Sequence, residues 1–207
     1  MAERRTRSNG RETMVKVLDH ARRELDEVGP VRFNILRVIE KSGVSRSSVY
    51  HHFGGRDGVI AAVEVARMTA ENATINAVLK HVVETAESRE DVFEAIRSVL
   101  VATGTPAGRK QRAHRIAVIA TAQGVPLLAE TMKHDQIKTN ADLGEVLRIA
   151  VARGFASAKT NVEGVAHVIL SLFIGRGVVD IFEDESADRS WVDTTMDALE
   201  FLIPASG

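Results

Sequence analysis

The sequence contains no cysteine, which excludes disulfide staples and thiolate chemistry and is compatible with a cytoplasmic setting. Proline occurs only at Pro30, Pro106, Pro126 and Pro204. Each falls at the edge of an expected helix, where a missing N–H is tolerated. Aromatic residues make up 4% of the chain, and no stretch alternates with period two for long enough to form a convincing strand. The N-terminus, Met1-Ala2-Glu3-Arg4-Arg5, lacks the apolar region of a signal peptide. The most apolar run, 162–182, carries Glu163, His167, Arg176 and Asp180, so no membrane span is expected. HExxH, P-loop and GxSxG patterns are also missing, and His134-Asp135 is a dipeptide without a partner. The chain is therefore not expected to be an enzyme or to carry a cofactor or metal.

What is present favours helices: many Ala, Val, Leu, Ile, Glu and Arg residues in a chain of 207 residues, enough for one large domain or two small ones. Met14, Val17, Leu18, Ala21, Leu25 and Val28 recur at three- and four-residue spacing and predict an amphipathic helix over 11–28, stopped by Gly29-Pro30. Further helices are expected near 34–42, 45–52, 56–83, 89–103, 107–123, 125–153, 161–184 and 188–203. Charge is unevenly placed along this series. Residues 1–58 hold 12 Lys and Arg against 8 Asp and Glu, and residues 59–207 hold 15 against 20. A basic head on an acidic body suits a polyanion contacted by the head alone.

The motif that carries function is Gly43-Val44-Ser45-Arg46-Ser47-Ser48-Val49-Tyr50-His51-His52-Phe53. Upstream, Asn34 can cap a short apolar segment containing Ile35, Leu36, Val38 and Ile39, which Gly43 can end with a positive φ. Ser45 is the next natural N-cap, with Val44 and Val49 at the spacing of a hydrophobic staple. Val49 and Phe53 turn to one side, while Ser47, Ser48, Tyr50 and His51 turn to the other. Helix, glycine turn and a second helix with a hydrogen-bonding outer face is a helix-turn-helix signature. On its outer face Ser47 and His51 lie opposite the core and are the candidates for base edges, with Arg46 able to pair with guanine. Ser45, Tyr50, His52 and Arg56 suit phosphate contacts, and Asn34 and Ser48 complete the expected DNA-binding set. Arg4, Arg5 and Arg7 lie in an N-terminal stretch that reads either as a solvated tail or as an arm that follows the DNA. His51 and His52 do not suit a metal, because neighbours on a helix point about 100° apart and no Cys or carboxylate completes a site.

These residues resemble the DNA-binding head of TetR-type bacterial repressors, whose pattern reads roughly Thr-x-x-x-Ile-Ala-x-x-Ala-Gly-Val-Ser-x-Gly-Thr-Leu-Tyr-x-His-Phe-x-Ser-Lys-Glu. Asn34 stands for the capping Thr, Val38 for Ile, Ser47-Ser48-Val49 for Gly-Thr-Leu and Gly55-Arg56-Asp57 for Ser-Lys-Glu, while Ile39 replaces Ala. The resemblance is specific over residues 34–57. It implies an all-α fold with a three-helix head, 1–55, and a helical ligand-binding and dimerisation domain, 56–207. It also implies a homodimer that binds double-stranded DNA at a palindromic operator, and a repressor released by a small-molecule effector.

In that second part His114, Arg115, His134, His167 and Arg176 interrupt apolar helices and read either as structural residues, such as an Arg176–Asp180 pair, or as ligand contacts. If several converge, a largely apolar effector with a polar or anionic end fits. The 161–184 helix is apolar almost all round and must be covered on both sides. With 188–203 it is expected to form a four-helix dimer interface through Ile169, Phe173, Val178, Ile181, Trp191, Met196 and Leu199. Gly58 in the first turn of its helix costs up to about 1 kcal/mol relative to Ala, so Gly58→Ala is expected to raise stability. The competing readings are a regulator or nucleoid-type DNA binder without an effector, and a helical adaptor that uses the motif only for packing.

Overall fold

Polar caps set the ends of the short helices. In the computed structural model, which describes residues 2–206 and the side chains from Met14 onward except Leu127, the Asn34 side chain accepts the Leu36 N–H at 2.9 Å and starts a helix. Gly43, at φ 66°, closes it. Ser45 accepts the Ser48 N–H at 3.2 Å and starts the next. The described residues form nine α-helices with no strand among them: α1 (Ala2–Arg32), α2 (Ile35–Ser42), α3 (Arg46–Phe53), α4 (Arg56–Thr85), α5 (Arg89–Thr103), α6 (Pro106–Gln123), α7 (Pro126–Ala152), α8 (Val162–Gly175) and α9 (Glu185–Leu202). A 3-10 segment, Arg176–Phe182, joins the last two.

Two expectations about element limits change. The first helix begins at Ala2, earlier than its apolar periodicity suggests, and its regular course is interrupted at Gly29 (φ 71°, ψ 169°) before Pro30. The single helix expected over 161–184 is instead α8 followed by the tighter 3-10 segment. Arg176, buried at the junction, turns inward there to reach carbonyls and carboxylates that a continuing apolar stripe would not meet.

The chain divides into two compact units, residues 1–69 with 117–134 and residues 70–116 with 135–207. The expected domain boundary at 55/56 falls at the turn between α3 and α4, whereas the units divide within α4. The first unit has a core of Val17, Ala21, Leu25, Val38, Val49, Phe53 and Val59, joined by Val118, Ala122 and Leu128. Its one buried charged residue among those described, Glu24, meets Arg37 at 2.6 Å and so ties α1 to α2. Close packing also corrects the expectation for Gly58. A Cβ there would stand 1.7 Å from the Phe53 carbonyl oxygen and 2.8 Å from its carbon. Glycine at this position lets the end of α3 press against the first turn of α4, and the helix-propensity argument is overridden by contact.

The second unit is built on Val92, Phe93, Leu143, Val146, Leu147, Val165, Val192, Met196 and Leu199. A capping box between Ser88 and Asp91 opens α5. Arg89 donates to the carbonyls of Phe155 at 2.6 Å and Ile203 at 2.7 Å, fastening the chain's C-terminal end to α5.

Candidate nucleic-acid interface

The second helix of the turn motif is α3, and its two faces are sharply different. Val49 and Phe53 are 0% and 1% exposed, whereas Arg46, Ser47, Tyr50 and His51 are exposed. Ser48 and His52 lie half-buried at the margin. Because Ser45 caps α3 from a residue that also touches Ser47 (Oγ···Oγ 3.2 Å), the first turn is held in place before any partner arrives. Arg46 lies with its guanidinium 5.2 Å from the Tyr50 ring, a cation–π contact that orders two long side chains on the open face. The His51 and His52 rings meet edge to face at 5.3 Å. Beside the end of α3 a hollow of about 340 Å³ is lined by His51, His52, Gly54, Gly124, Val125 and Pro126.

The structure brings Ser45, Arg46, Ser47, Tyr50 and His51 onto one exposed surface. Two others have internal occupations. Asn34 is the cap of α2. Arg56 donates to the Phe33 carbonyl at 3.3 Å and to the Pro30 carbonyl, pairs with Asp57 at 2.7 Å, and lies 5.9 Å from the Phe33 ring. It clamps the α1–α2 joint, so any phosphate contact would come from a guanidinium already held. Arg4, Arg5 and Arg7 lie outside the described side chains.

The expected ligand residues separate into two groups. His114, His134 and His167 are exposed, and His167 Nδ1 lies 2.7 Å from the Glu163 carbonyl oxygen of its own helix. Arg115 and Arg176 are buried and paired, Arg115 with Asn72 at 2.9 Å and Glu71 at 2.8 Å, Arg176 with the Leu100 carbonyl at 2.7 Å and Asp188 at 2.9 Å. Sequence reasoning paired Asp180 with Arg176, and the structure places them 4.0 Å apart, but it missed Arg109, Arg112 and Asp188 as members of the same network. The signal was the three-residue recurrence of arginine at 109, 112 and 115, which by itself also describes a solvated helix face.

The interface set is revised. Met196 and Leu199 are 3% and 4% exposed within their own unit's core and are not available to a partner. Ile169 and Trp191 are half-buried against the same core, and Trp191 is covered by Arg176 at 4.4 Å. Phe173 is half-buried, with Arg112 and Arg115 each 5.8 Å from its ring. Val178 and Ile181 remain exposed, together with Phe182.

A capped two-helix unit with a buried inner and an open polar outer face defines a helix-turn-helix head. Residues 17–63 match the family of bacterial regulatory proteins, tetR family. GusR of Salmonella enterica is similar in fold at 20% identity and TM-score 0.53, over 93% of this chain and 95% of that one. A TetR-family transcriptional regulator from Pectobacterium atrosepticum has 21% identity and TM-score 0.54, over 95% and 94%. A TetR transcription regulator from Haloarcula marismortui has 13% identity and TM-score 0.54, over 93% and 98%. No curated protein matches the sequence. The chain therefore carries, over residues 17–63, a DNA-binding head of the tetR family of bacterial regulatory proteins. It is a DNA-binding transcriptional regulator.

Proposed function

We propose that the protein is a cytoplasmic repressor that binds a palindromic operator as a homodimer and leaves it when a small-molecule effector binds the second unit. The observation that carries the DNA reading is the open face of α3, where Arg46, Ser47, Tyr50 and His51 stand exposed over a fully buried Val49 and Phe53. Ser47 and His51 read base edges, Arg46 reaches for guanine, and Ser45, Ser48, Tyr50 and His52 meet phosphates. Arg56 serves mainly by fixing α1 and α2, and Arg4, Arg5 and Arg7 follow the backbone. Dimer formation is supported by Val178, Ile181 and Phe182, which are 66%, 79% and 68% exposed in the single chain. A second copy burying this strip satisfies it and supplies the two-fold symmetry that a palindrome requires.

The test is a gel shift against palindromes from the region upstream of the protein's own gene, repeated across salt concentrations, with sedimentation of the free protein. Binding is expected to fall steeply with salt. Replacing Ser47 or His51 should change preference at one base position by about 1–3 kcal/mol, whereas Tyr50→Phe should weaken all sequences alike. Salt-insensitive binding, or a monomer that still binds the palindrome tightly, overturns the reading.

A further inference from the structure

Buried charge in the second unit is unevenly matched. Arg109, Arg112 and Arg115 recur along α6 and Arg176 opens the 3-10 segment; the side chains of Arg112, Arg115 and Arg176 are 0%, 9% and 1% exposed. Three carboxylates face these four cations. Asp180 accepts from Arg112 Nε and Nη2, both at 2.6 Å. Asp188 accepts from Arg176 at 2.9 Å and from Arg109. Glu71, itself 46% exposed, accepts from Arg115 at 2.8 Å. Four buried guanidinium nitrogens, Arg109 Nε, Arg112 Nη1, Arg115 Nε and Arg176 Nε, have no hydrogen-bond acceptor among the described residues. Two of these belong to the guanidiniums that flank the Phe173 ring.

A buried donor without an acceptor loses its hydration for nothing, and an uncompensated buried cation is costlier still. Ordinary cores pair such groups. The cluster is therefore short of one negative charge and of several acceptor lone pairs, next to an aromatic wall. We infer that this cluster is the effector site and that its ligand is a small organic monocarboxylate. The carboxylate accepts from Arg112 Nη1 and Arg115 Nε, and a flat apolar group lies against Phe173. The inference rests on the reading that the second unit binds an effector, and it names that effector's chemistry. A guanidinium fork suits a carboxylate in two-point contact, and one added charge brings four anions to four cations. Arg115 also holds Glu71 and Asn72 of α4, so charge arriving at Arg115 is felt by the helix that starts at Arg56.

Trp191, the chain's single tryptophan, lies under Arg176 and reports on the cluster. The full chain is titrated at constant ionic strength with benzoate, with its neutral isostere benzamide and with inorganic phosphate, following Trp191 emission and the melting temperature. Benzoate should change the emission saturably and raise the melting temperature, and benzamide should do neither. Arg115→Gln should weaken benzoate about ten-fold or more, the loss of a charge-assisted pair. Glu71→Gln removes a competing negative charge and should tighten benzoate about ten-fold, a gain that no folding defect imitates. Equal responses to benzoate and benzamide overturn the inference, as does an unchanged benzoate affinity in Glu71→Gln. A phosphate response matching that of benzoate overturns the organic-carboxylate class. Saturable benzoate binding that leaves the gel shift unaltered sustains the site and overturns effector release. An intact gel shift with no benzoate saturation overturns the site alone.

Discussion

In the first unit one buried carboxylate, Glu24, meets one guanidinium, Arg37, and the surrounding core is Val, Ala, Leu, Ile and Phe. In the second, an apolar core of similar composition stands beside a chain of arginines and carboxylates running from Arg109 through Asp188, Arg176, Asp180 and Arg112. A core of the first kind leaves its one buried carboxylate paired and otherwise presents apolar side chains. A core of the second kind keeps cations out of water at a cost that only precise partners offset.

The difference should be largest where a shared carboxylate is removed. Asp180→Ala leaves Arg112 unpaired in the interior and takes a neighbour from Arg176, and should destabilise the chain by about 3–5 kcal/mol in urea unfolding. A loss below about 1 kcal/mol would mean that the network is already hydrated. Acid should attack the same place. Burial alone would raise the Asp188 pKa, but the hydrogen bonds from Arg176 and Arg109 outweigh it and hold the carboxyl below its ordinary 3.8. Its contribution is therefore present above the unfolded value and is lost as pH falls below 3.8 toward the lowered folded pKa. Asp188→Asn should flatten that part of an acid-denaturation curve.

In the head, Gly58→Ala should destabilise by about 1–3 kcal/mol, the usual range for overpacking, because the new methyl meets the Phe53 carbonyl. A raised melting temperature would show that the α3–α4 turn yields easily. Ser45→Ala should cost about 1 kcal/mol through the lost cap of α3, with a matching loss of DNA affinity. The smallest effect belongs to the surface pair Arg97–Asp193, 41% and 64% exposed at 2.7 Å. Asp193→Ala should leave the unfolding midpoint unchanged, since both partners remain hydrated.

How much could be read beforehand follows from the range of the interactions. The caps at Asn34, Gly43 and Ser45 act within four residues, so α2, α3 and the open face between them are legible in the chain order. Gly58 misleads because its decisive neighbour, Phe53, belongs to the preceding helix, and only their packing shows that a methyl will not fit. Arg112 reads as part of a solvated basic face because Asp180 lies 68 positions away. Periodicity likewise marked Met196 and Leu199 as apolar without telling whether their cover is their own unit or another chain.

The 3-10 segment carries a mechanical consequence. Seven residues, Arg176–Phe182, wind three to the turn, so Val178 and Ile181 stand in one straight row instead of diverging around an α-helical cylinder. Runs this long are uncommon because their hydrogen bonds are poorly aligned. Rewinding the segment to an α-helix would shorten it by about 3.5 Å, from the difference in rise per residue, and would break up that row. The exposed strip that a second copy would cover is thus tied to the length of one short spring, anchored at its first residue by the buried guanidinium of Arg176.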